Sequence, residues 1–482
     1  MTKNLYFYSL LYLALPFILF NLFWLNTAIG SPIAFSICFI LYKTYHRQIE
    51  IDLHLERKDF LIILSIAVFL TIFSGIGGFV QQGGDLTAHN SKYYTLIKYN
   101  WPVKNLIGNE NYLCYFLGFY LAPAYISKFL PHFFEETLIF WTFLGLFLGV
   151  SWFYVLFNKK YLYFFVVLSF GGVGQAINYF LKTNGIYKHE YFHSLLINSV
   201  FFELTIINQF IPSLIVVSII LYLKTTNRPI FQAFLPICFM AYWAIFPTSI
   251  LVIIYCGDFV IEKMRNRKFI KFSEITKHIL LFSLFIPLVI YLLGSGVKQN
   301  VIFIPSFIHN KADFIRIYEL ILSEYLAIFV LYLTVTKKIS NKIGYNRAFD
   351  WLIIVATGII STLSYGKNND LFIRANMVLF MFYGMIICLY LSKYYSFKTL
   401  KIFPNIFLIC YLGLQIYFML EPMLKIGTPL LTGNYYGTNI KHIPYKYNEY
   451  PNIYQLFVHR YGQLDADQYI GNNPFIYKKL LK

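Results

Sequence analysis

A carboxylate and an imidazole stand four residues apart in Gly83-Gly84-Asp85-Leu86-Thr87-Ala88-His89-Asn90, directly after an apolar segment long enough to cross a bilayer. If a helix begins near Ala88, Asp85 and His89 project from one face toward a common ligand. The two glycines ahead of them let the backbone turn sharply and come close to that ligand. A carboxylate so placed can take a proton or hold a divalent cation such as Mg or Mn, and the imidazole can orient it or assist proton transfer. Asp85 also suits the cap of a juxtamembrane helix, and one residue can serve both purposes. Asp370 and Arg374 form a second constellation, again four apart. An arginine one turn inside a membrane helix can snorkel to a lipid phosphate at the outer surface, with an intrahelical ion pair as the plainer alternative. A third lies in Lys188, His189, Glu190 and His193, where Glu190 is the carboxylate available as a second acid. Its histidines are candidate metal ligands or the polar face of an interfacial helix.

The elements that must carry these residues are membrane helices. The 482 residues are 58% hydrophobic, 21% aromatic and 13% charged, with a mean hydropathy of +0.59, which excludes a set of soluble domains. Apolar stretches of about 20 residues recur between short polar loops, giving about 13 transmembrane helices in an all-α chain. Strands of a barrel would alternate in polarity and these stretches do not. The net charge of +18 arises from Lys and Arg in the loops, so its partner is the anionic face of a membrane and not nucleic acid. Six cysteines fall in apolar stretches without metal-ligand spacing and read as free thiols. No Gly-rich phosphate loop, Gly-x-Ser-x-Gly elbow or internal repeat is present.

The loop lysines and arginines also set an expected topology. Residues from Leu5 to Tyr42 form a hairpin broken between Asn26 and Ser31, with a cytoplasmic N-terminus. A span from Phe60 to Val80 delivers Asp85 to the outer side. Lys159 and Lys160 close the run Leu138 to Phe157, so residues 81–136 stay outside, and Tyr93 to Trp101 and Tyr112 to Leu130 lie in the interface rather than cross. Further spans run from Tyr161 to Ile177, Leu204 to Leu223, His278 to Gly296, Phe314 to Val335, Trp351 to Tyr365, Leu371 to Leu391 and Phe403 to Leu420. The run Pro229 to Val260 breaks at Pro247 into two short helices. Residues 1–424 make the membrane domain, and 425–482 a short extracytoplasmic tail.

An outward acidic residue after an early span, an amphipathic helix, the Trp101-Pro102 step, an apolar helix with Leu121-Ala122-Pro123-Ala124 ending in Lys128-Phe129-Leu130, and a span closing in Lys159-Lys160 follow one another here. That order, over residues 60–160, resembles the first extracytoplasmic loop of the GT-C glycosyltransferases. The resemblance implies a multi-pass enzyme of a bacterial inner membrane that takes a sugar from a polyprenyl-phosphate donor and gives it to a glycan or lipid acceptor in cell-envelope assembly. By position, Asp85 matches that family's acidic catalytic or metal-associated residue. Donor contacts would then come from Arg374 with Asp370, from Lys92 and Lys367, and from Trp101 and Glu190, with the helix after Tyr112 walling the polyprenyl groove. The family often carries a second acidic residue where this chain has His89, and a hairpin here precedes the matching span. The rival readings are a lipid or oligosaccharide transporter, which should show related halves, and a polymerase of polyprenyl-linked glycan repeats.

Overall fold

The computed structural model describes residues 4–47, 56–80, 84–172, 199–265, 267, 269–295, 302–303, 325, 328–329, 332, 347–365, 369–394, 413, 416, 434–435, 438–439 and 450–482. Helices dominate these residues. Six of the described helices are long and apolar enough to cross a membrane: Leu5–Phe23, Thr27–His46, Pro131–Phe157, Ile207–Thr225, Ile245–Arg265 and Asp370–Ser392. A seventh crossing is available if a bent pair counts as one span. The expected spans Phe314 to Val335 and Phe403 to Leu420 fall largely or wholly outside the described residues.

The first hairpin is α1 (Leu5–Phe23) and α2 (Thr27–Arg47). The chain turns at Trp24 to Asn26, earlier than Gly30 and Pro32 suggested, and both of those residues lie inside α2. Gly30 serves close packing: a Cβ there would sit 1.8 Å from the backbone oxygen of Asn21. Helix α3 (Arg57–Phe73) is closed at its start by a capping box between Glu56 and Asp59. It ends well before Val80, because Gly75, Gly77 and Gly78 all take left-handed backbone angles that no helix tolerates.

Helices α4 (Gly84–Lys98) and α5 (Gly118–Phe129) follow, then α6 (Phe134–Phe157). The run from Tyr112 to Leu130 is a two-residue strand and the 12-residue α5. At 1.5 Å per residue α5 is about 18 Å long, well short of a hydrocarbon core of about 30 Å. Helix α6 carries Gly145 and Gly149 one turn apart, where a Cβ would meet Tyr12 at 2.3 Å and Leu214 at 2.6 Å. The missing side chains make room for Tyr12 of α1 and Leu214 of the following long helix, and close packing of this kind holds helices together inside lipid.

After α7 (Leu162–Ser169) comes α8 (Ile207–Thr225), buried along almost its whole length at the centre of the bundle. The run expected to break at Pro247 breaks instead at Ala244, whose extended backbone (φ −158, ψ 105) separates α9 (Phe234–Trp243) from α10 (Ile245–Arg265). Pro247 sits in the first turn of α10, where its missing N–H costs nothing. The expected span His278 to Gly296 is divided between α11 (Phe272–Ser283) and α12 (Ile286–Leu293), bent by 52°. Helices α13 (Arg347–Ser361) and α14 (Asp370–Tyr394) complete the bundle, and α15 (Ile453–Tyr461) belongs to the tail.

Polar groups tie the bundle at both ends. Asp59 accepts hydrogen bonds from the hydroxyls of Tyr161 at 2.7 Å and Tyr154 at 2.8 Å, and its carboxylate lies 2.8 Å from the Lys159 ammonium. Asp258 of α10, fully buried, pairs with Lys224 of α8 at 2.7 Å. At the opposite end the tail is stitched to the rest: Ile470–Gly471 pairs antiparallel with Tyr112–Leu113, and Lys482 N–H donates to the Trp24 carbonyl at 2.9 Å.

Candidate functional site

The site assembles where α4 meets the segment leading into α5. Helix α4 begins at Gly84, so Asp85 lies in its first turn and His89 one turn further on. The α4 residues that face the protein are unusually polar: Asn90, Ser91, Lys92 and Thr95 are all buried. Such a face can be buried only against partners that satisfy it. The tail supplies one, since the backbone N–H of Ile453 donates to Thr95 Oγ1 at 3.1 Å. Tyr93 supplies others by bonding Ser127 Oγ at 2.8 Å and the Phe134 carbonyl at 2.7 Å, which locks α4 to α5 and α6.

His89 stacks on the ring of Tyr120, centroids 5.7 Å apart and planes 19° from parallel. The fully buried Lys92 ammonium sits over two aromatic faces, 4.2 Å from the Tyr115 centroid and 5.0 Å from that of Tyr120. Cation–π attraction of this kind is strongest where water is excluded. Tyr115 is itself held by the tail, its ring 4.5 Å from that of Tyr469, while Cys114 N–H donates to the Tyr469 carbonyl at 2.8 Å.

The charge of Arg374 reaches the same cluster from α14, far away in sequence. Burial drives the His89 imidazole well below its usual pKa range, and the positive charges of Lys92 and then Arg374 push it the same way. His89 is therefore neutral at physiological pH. Its Nδ1 is sealed from solvent and has no hydrogen-bond partner among the described residues. Arg374 Nη2 lies 3.7 Å from Asp370 Oδ1, and its side chain is mostly buried. That separation is longer than a charge-assisted hydrogen bond of about 2.7–2.9 Å. Asp370 occupies the first turn of α14, where a carboxylate also complements the helix dipole.

The structure thus gathers His89, Lys92 and Arg374, three residues that the sequence presented in two separate constellations. It also places Tyr115 and Tyr120 among them, which residue-by-residue reading of the sequence left inside a general aromatic run. It does not bring Trp101 to the cluster. The Trp101 ring packs 5.8 Å from Trp24 and 6.0 Å from Tyr125, its Nε1 donates to the Leu96 carbonyl at 2.8 Å, and Lys128 sits 5.3 Å above it. These contacts make Trp101 a packing residue between α1 and α5. Lys367 and the loop with Glu190 lie outside the described residues, and of Asp85 only the backbone position is described.

Among the described residues no three His, Cys, Asp or Glu side chains stand close enough to hold a metal ion. The charges that act on His89 are those of Lys92 and Arg374. Comparison of the chain with protein-family models, with curated proteins and with solved structures finds no match.

Proposed function

We propose that the chain is an integral membrane glycosyltransferase of the GT-C type, using a polyprenyl-phosphate-linked sugar, and that Lys92 and Arg374 hold the donor phosphate. The observation that carries this reading is the buried Lys92 ammonium against the Tyr115 and Tyr120 rings beside His89, with the Arg374 charge acting on the same imidazole. A phosphate with its developing negative charge is stabilised by cations placed in this way. The sequence order over residues 60–160 supplies the transferase class, and the apolar helices supply a lipid setting.

In this reading the Asp85 carboxylate takes the proton of the acceptor hydroxyl as the acceptor oxygen bonds to the anomeric carbon of the sugar. The bond from that carbon to the phosphate oxygen breaks, and polyprenyl phosphate leaves with its charge against Lys92 and Arg374. Neutral His89, whose Nδ1 has no partner among the described residues, accepts or donates one hydrogen bond to substrate without adding charge. No step in this reading uses a divalent cation. The bacterial inner membrane, with the N-terminus cytoplasmic and the tail outside, is the setting this function requires.

Asp85→Asn provides the test. The product profile of lipid-linked and envelope glycans should be lost in cells that hold the variant in the membrane at the wild-type level. Retention of product at that level removes the catalytic role of Asp85. A lipid or oligosaccharide transporter is the second reading, favoured by the broken runs at Ala244 and between α11 and α12. It predicts ligand movement across proteoliposomes without release of polyprenyl phosphate.

A further inference from the structure

Helix α11 and the segment before it show a combination of features that a simple crossing does not require. Residues 263–277 hold six basic side chains, Lys263, Arg265, Arg267, Lys268, Lys271 and Lys277, against the single acid Glu274. Between them Phe269 is 96% and Phe272 83% exposed, more than any other described Phe, with Ile275 and Ile279 continuing the apolar stripe. The opposite side of α11 faces the protein. There His278 meets the edges of Phe231, Phe234 and Phe259 at 4.9, 4.8 and 5.1 Å, and Lys263 pairs with Glu274.

Contacts along the bundle fix the depth of this element. Tyr6, in the first turns of α1, donates to the Gln232 carbonyl at 2.6 Å, so His278, beside Phe231, is level with the start of α1. Phe285 stacks on Phe17 at 4.6 Å, and Tyr291 lies 5.1 Å from Phe20 near the end of α1. From His278 to Tyr291 the chain advances about 20 Å and from Tyr6 to Phe20 about 21 Å, so these stretches span the same slab. The part of α11 before His278 therefore projects beyond the apolar part of the bundle, and the 52° bend between α11 and α12 departs from a straight crossing. A polar surface facing water gains nothing from two bare phenylalanines. A basic surface at headgroup depth does, because the rings enter the acyl boundary while lysines and arginines meet phosphates.

We propose that α11 with the preceding segment is a docking surface for anionic phospholipid headgroups, lying at the membrane face rather than running as the first half of a straight crossing. Its partner is a lipid of net negative charge such as phosphatidylglycerol, bound by phosphate contacts from Lys271 and Lys277 with Phe269 and Phe272 wedged below them. This surface lies beside the start of α1, whereas the His89 cluster lies beside the tail near its end, so the two can be tested independently.

The experiment uses the full chain in lipid nanodiscs, in a cysteine-free background, with a bimane at Phe272→Cys. Phosphatidylglycerol or phosphatidylcholine brominated near the headgroup serves as quencher at equal mole fraction. Quenching by the anionic lipid should exceed that by the zwitterionic lipid several-fold. It should weaken with salt, and fall about fivefold for each of Lys271→Gln and Lys277→Gln. A second bimane at Ile279→Cys should report a similar shallow depth, where a straight crossing would place it about 10 Å deeper. Equal quenching by both lipids, stronger quenching from bromines near the bilayer centre, or no lipid quenching at all would each overturn the proposal. The last would mean that protein covers this face.

Discussion

Replacing Asp59 with Ala tests whether the polar knot between α3 and α6 is read correctly, because its partners have unequal stakes. Asp59 is 5% exposed and receives two tyrosine hydroxyls, the Lys159 ammonium and the Glu56 backbone N–H, the last at 3.2 Å. Removing the carboxylate leaves one buried and one half-buried hydroxyl without their acceptor and a lysine without its main partner, a loss of about 1–3 kcal/mol for each hydroxyl left unsatisfied. Lys159 is different. It is 41% exposed and has a second carboxylate, Glu56, at 3.1 Å. Held above its usual pKa range first by Asp59 and then by Glu56, it remains charged at any working pH. Lys159→Met leaves Asp59 with three other donors and should cost only about 0.2–1 kcal/mol, as for an exposed pair. Asp59→Asn, which keeps an acceptor for one tyrosine, should fall between. Thermal unfolding in detergent, followed by a thiol dye that reaches the buried Cys114, Cys238 and Cys388 only on unfolding, gives the ranking. A Lys159→Met variant as unstable as Asp59→Ala, or a neutral Asp59→Ala, would refute the claim that the carboxylate is the hub.

Four further outcomes follow. Gly149→Leu should separate α6 from α8, since even a Cβ meets Leu214 at 2.6 Å, and an unchanged unfolding midpoint would count against that packing. Gly471→Val, whose Cβ would lie 2.2 Å from the Tyr112 ring, should expose the tail to protease; continued protection would show that the strand pairing is dispensable. Because the pKa of His89 is depressed in the fold, the unfolded chain takes up a proton below about pH 6.5 that the folded chain refuses, and stability falls toward acid with a slope of at most about 1.4 kcal/mol per pH unit. His89→Gln should remove that contribution, and an unaltered pH profile would speak against it. Cysteines placed at Glu110 and Phe129, both exposed, should label from the same side of the membrane if α5 does not cross, and labelling from opposite sides would show that it does.

Much of this architecture was legible because a lipid environment leaves so few options for the backbone. The hairpin of α1 and α2, the long α6, α8 and α14, and the interruption of the run after Pro229 all follow from apolar length and breakers. The breaks themselves moved by a few residues. Pro247 sits in a first turn, where proline is harmless, and Pro32 lies in the interior of α2 without ending it, while Ala244 turns the chain between α9 and α10. The glycine pair of α6 was present in the sequence as Gly145 and Gly149, a spacing that signals close helix contact. At the site, Asp370 and Arg374 were visible through their spacing, yet nothing local links Arg374 to His89. That proximity, and the bracing of Tyr115 by Tyr469, are tertiary facts, and so is the packing of Trp101 against Trp24 and Tyr125.

The central claim is that Lys92 and Arg374 together hold a phosphate carried by a lipid. The direct measurement is the affinity of the purified protein for a polyprenyl monophosphate and for the matching neutral polyprenol, with wild type, Lys92→Met and Arg374→Lys compared side by side. Each charge-assisted hydrogen bond contributes about 1.5–3 kcal/mol, so wild type should favour the phosphate at least tenfold. Lys92→Met should lose most of that preference. Arg374→Lys, which keeps the charge but not the planar fork, should lose part of it, and polyprenol binding should stay constant across all three. Equal affinity for phosphate and alcohol in the wild type, or a preference that survives in both variants, would contradict the account.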